Sequence, residues 1–315
     1  FDLEINDLKN TKIYRMSDGE NQKSLFKLDG KWFHETGKVF PGQAMSLEVE
    51  EVLFHQKSPY QDVLVFQSKT YGRVMVLDGM INSTSRDECA YQEMISFLPL
   101  NSHPNPKSVL VVGGGDGGVA RDCAKHSKVE RITMIEIDQM VVDASKEFLP
   151  EMAIGMSHPK VKLFVGDGLE YLENNEDTYD VIIADLSDPD DGGPAAKLFQ
   201  ETFYKLMKDR LNPGGIICAQ GEVIWLDLEQ CIKPMIDFCQ KHFPSVTYAC
   251  NNVPTYTCGI IGYVICSLEK DKDFRTPLHV FTEEEMDQMN LKYYNQDMHT
   301  GAFALPTFVK KKLNL

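Results

Sequence analysis

The sequence predicts an α/β protein with a mostly parallel seven-stranded sheet that is closed by an antiparallel hairpin and preceded by a small antiparallel β domain. Three patterns support this fold class. After residue 106, apolar runs alternate with helical segments, an order typical of parallel sheets. The last two apolar runs, 245–252 and 259–268, have no helix between them. The region before residue 87 instead carries apolar runs that are separated by turn residues.

The 315 residues are enough for two domains, and a composition of 43% hydrophobic and 25% charged residues is typical of globular proteins. We predict a polar N-terminal extension over 1–31, the β domain over 32–100 and the α/β domain over 101–315.

In the β domain, the segment 45–54 alternates in polarity, and 62–68 and 73–77 have the spacing of a hairpin. A helix over 88–98 follows, and we expect it to end at Pro99.

The α/β domain is predicted to begin with five strand–helix units, and we expect Pro234 to kink or restart the last of its helices. The closing hairpin is usual in Rossmann domains that bind adenosylmethionine and unusual in dehydrogenases. The predicted strands lie near 109–112, 132–137, 161–165, 180–185 and 215–220, and the helices near 118–126, 139–148, 168–174, 195–211 and 227–242.

Charge and cysteine usage exclude several classes of function. A net charge of −15 argues against binding to nucleic acid or to anionic membranes. No apolar stretch approaches the length of a membrane span. The eight cysteines form no C-x-x-C pair and the eight histidines are scattered, so we expect reduced thiols, a cytoplasmic protein and no metal site.

The first apolar run of the α/β domain leads into a glycine-rich loop. Gly113, Gly115 and Gly118 fit G-x-G-x-x-G, a turn that brings backbone close to a nucleotide. About 20 residues later, the next strand ends at Glu136, where ribose hydroxyls are expected. Asp116 lies inside the loop, and a carboxylate there would repel a phosphate group. This loop therefore predicts an uncharged or cationic ligand.

Acidic and amide side chains follow most of the predicted parallel strands. Because ligands bind beyond the carboxyl ends of such strands, these side chains should converge on one crevice. No Lys or Arg follows these strands, so the crevice favours a cationic ligand. A polyamine fits better than magnesium, because no phosphate-binding lysine is present. The residues are Asp116, Glu136, Asp167, Asp185, Asp188, Gln220 and Glu222.

Two further regions are candidates for the same crevice. The segment 185–194, rich in Asp, Gly and Pro, is either a lid or an ordinary capping turn. Tyr91 and Tyr256 each offer an aromatic face and a hydroxyl to an amine, or simply pack in the core.

From about Trp32 to its end, the chain resembles the spermidine synthase family of aminopropyltransferases. The matching motifs are YQDVLVF (60–66), TYGRVMVLDG (70–79), YQEM (91–94), VVGGGDGGVARD (111–122), IEID (135–138), GDG (166–168), DLSDP (185–189), QGEVIW (220–225), VPTY (253–256) and LKYYN (291–295).

The resemblance implies a β domain before a methyltransferase-like Rossmann domain, a homodimer, and transfer of an aminopropyl group from decarboxylated S-adenosylmethionine to putrescine. The donor is then a co-substrate and no cofactor is permanently bound. For the donor, it implies contacts with Gln61, Gln92, Gly113, Gly115, Asp116, Glu136, Asp167 and Gly168. For the diamine, it implies Asp185 as the base, with Tyr91, Asp188, Gln220, Glu222 and Tyr256 around it.

The chain departs from the family pattern at the diamine end, where Leu186 replaces the usual Ser and 190–193 lengthens the loop. The length of the acceptor amine therefore stays open. Alternatives are a spermine synthase or putrescine N-methyltransferase of the same fold, and a non-enzymatic polyamine-binding protein. An NAD dehydrogenase fits poorly with the closing hairpin and the acidic loop.

Overall fold

The fold is given by a computed structural model that describes residues 27–29, 31–36, 42–187, 198, 200–226 and 228–315. The chain forms two sheets, one of six strands and one of seven. Most of the predicted extension over 1–31 lies outside the described residues, and the domain boundaries at 31/32 and 100/101 stay predictions.

The six-stranded sheet is an antiparallel meander in which each strand pairs with the next along the chain. Its inner face carries Phe33, Leu64 and Phe66 in one apolar cluster. The strands are β1 (Lys27–Asp29), β2 (Trp32–Glu35), β3 (Met45–Lys57), β4 (Asp62–Ser68), β5 (Gly72–Leu77) and β6 (Met80–Thr84).

The seven-stranded sheet has the order β12-β13-β11-β10-β7-β8-β9, and β13 runs antiparallel to both of its neighbours. This arrangement confirms the predicted fold class. The strands are β7 (Ser108–Gly113), β8 (Arg131–Glu136), β9 (Val161–Val165), β10 (Tyr179–Asp185), β11 (Leu211–Gln220), β12 (Ser245–Asn252) and β13 (Ile260–Ser267).

Alternate residues of the strands pack on opposite faces of this sheet. Val109 and Val111 of β7 join one apolar cluster, and Leu110 and Val112 join the other. The described helices are α1 (Glu88–Ser102), α2 (Gly118–Lys125), α3 (Gln139–Phe148), α4 (Pro150–Ala153), α5 (Gly168–Asn174), α6 (Glu201–Asp209), α7 (Ile232–His242), α8 (Glu283–Gln288), α9 (Gln296–Ala302) and α10 (Thr307–Leu313).

The predicted helix end at Pro99 is wrong, and of the two alternatives for Pro234 the structure shows a helix start rather than a kink. Helix α1 continues through Pro99 to Ser102, because 14 of its 15 residues are buried and this packing outweighs one lost backbone hydrogen bond. Pro234 is the third residue of α7, which begins at Ile232. In the first turn a backbone N–H has no partner within the helix, so proline causes no kink there.

The helix predicted over 195–211 is shorter where it is described, since α6 spans Glu201–Asp209 and β11 already begins at Leu211. The prediction did not anticipate α4, α8 and α9, which are four to seven residues long. Within the described residues, no helix is long and apolar enough to cross a membrane.

Candidate active site

A cleft opens at the carboxyl edge of the seven-stranded sheet, between β7 and β10. After β7 the chain builds the sheet toward β9, and after β9 it returns to the other side of β7. Because the connections that follow β7 and β10 run to opposite sides, a crevice is left between them, and open α/β sheets bind ligands in such a crevice. Asp185 pairs with Gly113 in register, and the Gly114 N–H donates to the Asp185 carbonyl at 3.0 Å. Helix α1 and the six-stranded sheet complete the walls.

The structure brings most of the predicted site residues onto the wall of this cleft: Gln61, Tyr91, Gln92, Gly113, Gly115, Asp116, Glu136, Asp167, Gly168, Asp185, Gln220 and Tyr256. Glu222 is buried behind the wall, where its carbonyl accepts hydrogen bonds from the Tyr248 hydroxyl and the Gly262 N–H. Asp188 lies outside the described residues. The ligand contacts predicted for all of these residues stay predictions.

The glycine loop is shaped by close approaches that exclude side chains. Gly113 has a φ of 85°, and a Cβ there would overlap the Asp185 carbonyl oxygen. A Cβ on Gly115 would lie 2.8 Å from Glu136 Oε2, and one on Gly118 would lie 2.5 Å from the Gln92 amide carbon. The glycines therefore allow the loop to reach both the second strand and α1.

We expect Gly113→Ala to lower the free energy of unfolding by about 2–5 kcal/mol, because it adds positive-φ strain to a backbone clash. Denaturant unfolding measures the change. Gly166→Ala is a matched control, since a Cβ added at Gly166 would meet no atom within 4 Å and its φ is not positive. An equal loss in both variants would contradict the role given to Gly113.

Two adjacent residues of α1 each contact a carboxylate of the sheet. The Tyr91 hydroxyl donates to Asp185 Oδ1 at 2.7 Å, and the Gln92 amide donates to Asp116 Oδ2 at 2.8 Å. The Gly118 N–H holds the other oxygen of Asp116 at 2.9 Å. One helix thus positions a carboxylate from each of the two strands that border the cleft.

The end of the cleft beside β8 contains a chain of polar contacts behind Glu136. The Asp138 N–H donates to Glu136 Oε1 at 2.9 Å. Asp138 in turn accepts from the Ser58 hydroxyl at 2.6 Å and from the Gln61 amide at 3.1 Å. Asp167 caps α5 through the Leu169 N–H at 2.7 Å. The loop before β4 therefore helps to orient Glu136 through Asp138, in addition to the strand that carries Glu136.

Burial makes the acids of the cleft hard to ionise. It raises the pKa of Asp116 to about 6, and it raises the pKa of Glu136 and of Asp185 to about 7. The negative charge of Asp116 adds to the increase at Asp185 and Glu136. No Lys, Arg or His is among the described residues that line the cleft. A cationic ligand would relieve the repulsion between these acids. In the described part of the chain, no cluster of His, Cys, Asp or Glu is placed to hold a metal ion.

At the other end of the cleft, Tyr256 lies against Tyr91 with ring centroids 5.7 Å apart, and its hydroxyl donates to the Asn82 carbonyl at 2.8 Å. Sequence reasoning missed Glu35 here. Its buried carboxylate accepts from the Ile81 N–H at 2.6 Å and from the Thr257 hydroxyl. The signal was available, because Phe33 and Glu35 alternate onto the same core face of β2.

The sheet order is that of a methyltransferase-like fold, and the acid-lined cleft at its carboxyl edge suits a cationic ligand. A family model described as the spermine/spermidine synthase domain matches residues 88–276, and one described as the spermidine synthase tetramerisation domain matches residues 31–85. The chain belongs to the spermine/spermidine synthase family, which confirms the predicted resemblance.

Individual relatives agree with the family match. A spermidine synthase of Dictyostelium discoideum is 51% identical over 289 residues, covering 92% of this chain and 99% of its own length. One of Schizosaccharomyces pombe is 49% identical over 295 residues, covering 94% and 97%. A crystal structure of spermidine synthase with the transition-state analogue AdoDATO matches with a TM-score of 0.83 at 32% identity, covering 93% of this chain and 98% of that one. The spermidine synthase of Thermotoga maritima gives 0.81 at the same identity, covering 93% and 97%.

Proposed function

We propose that the chain is a spermidine synthase, which transfers the aminopropyl group of decarboxylated S-adenosylmethionine to putrescine and releases spermidine and methylthioadenosine. The observation that carries this proposal is the pair of contacts from adjacent residues of α1, Tyr91 to Asp185 and Gln92 to Asp116, in a cleft whose described lining residues include no cation. The pair provides one carboxylate for the donor's ammonium group and one for the attacking amine.

The donor occupies the β7–β8 side of the cleft in this proposal. Glu136 accepts hydrogen bonds from the ribose hydroxyls, as expected for an acid at the end of the second strand. Asp167 and Gly168 lie against the adenine, and Gln61 closes the nucleoside pocket. Asp116 and Gln92 bind the ammonium end of the aminopropyl chain. The donor enters as a co-substrate and leaves as methylthioadenosine.

Asp185 acts as the base in the chemical step. The lone pair of a putrescine nitrogen attacks the aminopropyl carbon next to sulfur, and the carbon–sulfur bond breaks with its electrons going to sulfur. The sulfonium becomes a neutral thioether, and the nitrogen gives its proton to Asp185. Tyr91 fixes the carboxylate at 2.7 Å, and Tyr256 offers its ring to the diamine. Asp188 also holds the diamine in this proposal, and we assign its far nitrogen to Gln220, with Glu222 behind the wall acting through a water molecule.

Product analysis tests the function directly. The protein is incubated with putrescine and either decarboxylated S-adenosylmethionine or S-adenosylmethionine, and the nucleoside product is identified by mass spectrometry. We expect methylthioadenosine from the decarboxylated donor alone. Adenosylhomocysteine from the other donor would instead make the chain an N-methyltransferase, and no nucleoside product from either would leave a binding protein.

The raised pKa values predict a steep acid limb in the pH profile. Asp116 and Asp185 act in their ionised form. Each is mostly ionised only when the pH is above its pKa, which is about 6 for Asp116 and about 7 for Asp185. We therefore expect kcat/KM for the donor to fall at least about 30-fold between about pH 8 and pH 5.5, because a group with a pKa near 7 is then only ~3% ionised. Steady-state rates across this range measure it. A flat profile would show that neither acid must be ionised.

We propose that the protein is a cytoplasmic homodimer. The match of residues 31–85 to a tetramerisation domain supports assembly through the six-stranded sheet. Sedimentation equilibrium distinguishes a dimer from a tetramer or a monomer. The cytoplasmic location rests on the eight free cysteines.

The acceptor length is a separate proposal. Leu186 lines the cleft directly after Asp185 with an apolar side chain. The longer loop over 190–193 lies outside the described residues. We propose putrescine as the preferred acceptor, and a comparison of kcat/KM for putrescine and spermidine tests this preference.

A further inference from the structure

We propose that Arg121 is a positioning residue for donor binding, because it pairs with Glu88 and ties α1 to α2 directly behind the Gln92–Asp116 contact. This inference rests on the proposed function, since it assigns Asp116 to the donor's ammonium group. Arg121 does not line the cleft. It acts through the two helices that carry the donor-binding pair.

The guanidinium group of Arg121 is held on all sides. It donates to Glu88 at 2.7 and 3.1 Å, to Asp122 at 2.9 and 3.0 Å, and to the Glu151 carbonyl at 3.1 Å. These five bonds use every N–H that an arginine has. The side chain is 15% exposed, whereas those of Glu88 and Asp122 are 4% and 0% exposed. Buried charges of this kind persist only when they are paired.

The position of this cluster links it to the site. Glu88 and Gln92 are four residues apart on α1, so they share one face of the helix. Arg121 lies one turn into α2, whose first residue, Gly118, donates its N–H to Asp116. The Arg121–Glu88 pair therefore ties α1 to α2 one helical turn behind the Gln92–Asp116 hydrogen bond.

The charges of Glu88 and Arg121 also affect the ionisation of Asp116. The negative charge of Glu88 raises the pKa of Asp116, and the positive charge of Arg121 lowers it. Without Arg121, Glu88 would face Asp116 uncompensated, whereas Asp122 would keep Lys125 at 2.7 Å. The other ionisable groups that face Asp116 or its contacts are Glu136 on β8, Asp185 on β10 and Tyr91 on α1. They are the same in every variant considered below.

The test measures the Kd of decarboxylated S-adenosylmethionine by calorimetry at about pH 6 and about pH 8.5. If Arg121→Met raises the pKa of Asp116 by one unit, the ionised fraction falls about fivefold at the lower pH and hardly changes at the higher one. We therefore expect Kd to rise about fivefold at about pH 6 and less than twofold at about pH 8.5.

Two further variants separate charge from structure. The double variant Glu88→Gln/Arg121→Met removes both charges, so we expect the Kd to return to within twofold of the original protein at both pH values. A purely structural role for Arg121 predicts no such rescue. Lys125→Met is the matched control, because it removes a cation from the same helix and leaves the Arg121–Glu88 pair intact. Its Kd should not change.

A loss of affinity in Arg121→Met that is equal at both pH values, or that Glu88→Gln does not reverse, would overturn the proposal. If Arg121→Met does not fold, Glu88→Gln alone carries the test. Arg121 then keeps Asp122 but loses its other acidic partner, so donor binding at about pH 6 should tighten; unchanged or weaker binding would count against the role. Failure of the proposed function looks different, since the original protein would then not bind or turn over this donor at all.

Discussion

In the variant Asp185→Asn we expect kcat to fall by about 10³-fold near neutral pH, within the range of a lost general base. We expect the Kd of the donor to stay within about threefold of its original value, because the proposed contacts of the donor are with Asp116 and Glu136 instead. Stopped-time assays of methylthioadenosine give kcat, and calorimetry gives Kd.

The size of this effect follows from the acceptor. An alkyl amine has a pKa of about 10.4, so roughly one molecule in a thousand carries a free lone pair near neutral pH. Supplying that lone pair costs about 4–5 kcal/mol. Burial and the charge of Asp116 raise the pKa of Asp185 to about 7, which makes it a stronger base than an exposed aspartate. The sulfonium is already a good leaving group, so the barrier on that side needs no acid.

Matched variants separate the base from its surroundings. Tyr91→Phe removes one hydrogen bond of 2.7 Å and leaves the carboxylate, so its kcat should fall by only about tenfold. Asp177→Asn changes an exposed acid just before the same strand and should leave kcat unchanged. Near-normal turnover in Asp185→Asn would remove Asp185 as the base.

The site could be predicted from the sequence wherever a residue follows a strand. Gly113, Asp116, Glu136 and Asp185 all lie at the carboxyl edge of parallel strands, and that edge is where such sheets bind ligands. A short apolar run followed by Gly or Asp is enough to place them. Their convergence on one cleft then follows from strand order alone.

Long-range partners could not be predicted in the same way. The Arg121–Glu88 pair spans 33 residues and the Gln61–Asp138 contact spans 77, and neither spacing is periodic. The course of α1 past Pro99 depends on burial of nearly its whole surface, which is set by the assembled sheet. These features arise from packing between elements, whereas the sequence patterns report on single elements.

The largest effect on substrate choice is expected at Asp116. In the proposed function, the buried carboxylate of Asp116 lies beside the aminopropyl end and attracts the ammonium group of the decarboxylated donor. S-adenosylmethionine carries the same ammonium group and, on the same carbon, a carboxylate, and two like charges about 4 Å apart cost roughly 4 kcal/mol at an effective dielectric constant of 20. The original protein should therefore bind the decarboxylated donor about a thousandfold more tightly.

We expect Asp116→Asn to reduce this preference from about a thousandfold to about tenfold, because the variant loses the repulsion of the carboxylate, whereas both donors carry the ammonium group that Asp116 attracts. Calorimetric Kd values for the two donors give the ratio. Glu136→Gln is the matched control, since the ribose is common to both donors: it should weaken both and leave the ratio unchanged. A ratio in Asp116→Asn as large as in the original protein would show that shape, not charge, selects the donor.

Acid provides the same test without a mutation. Protonation removes the charge of Asp116 below its pKa of about 6, so the preference of the original protein should itself shrink as the pH falls from about 8 to 5. In Asp116→Asn the ratio should be nearly independent of pH over this range, because no titrating group remains at that position. If charge selects the donor, the mutation and acid must both lower the ratio of the Kd values of the two donors. Their effects must not add, because each removes the same charge.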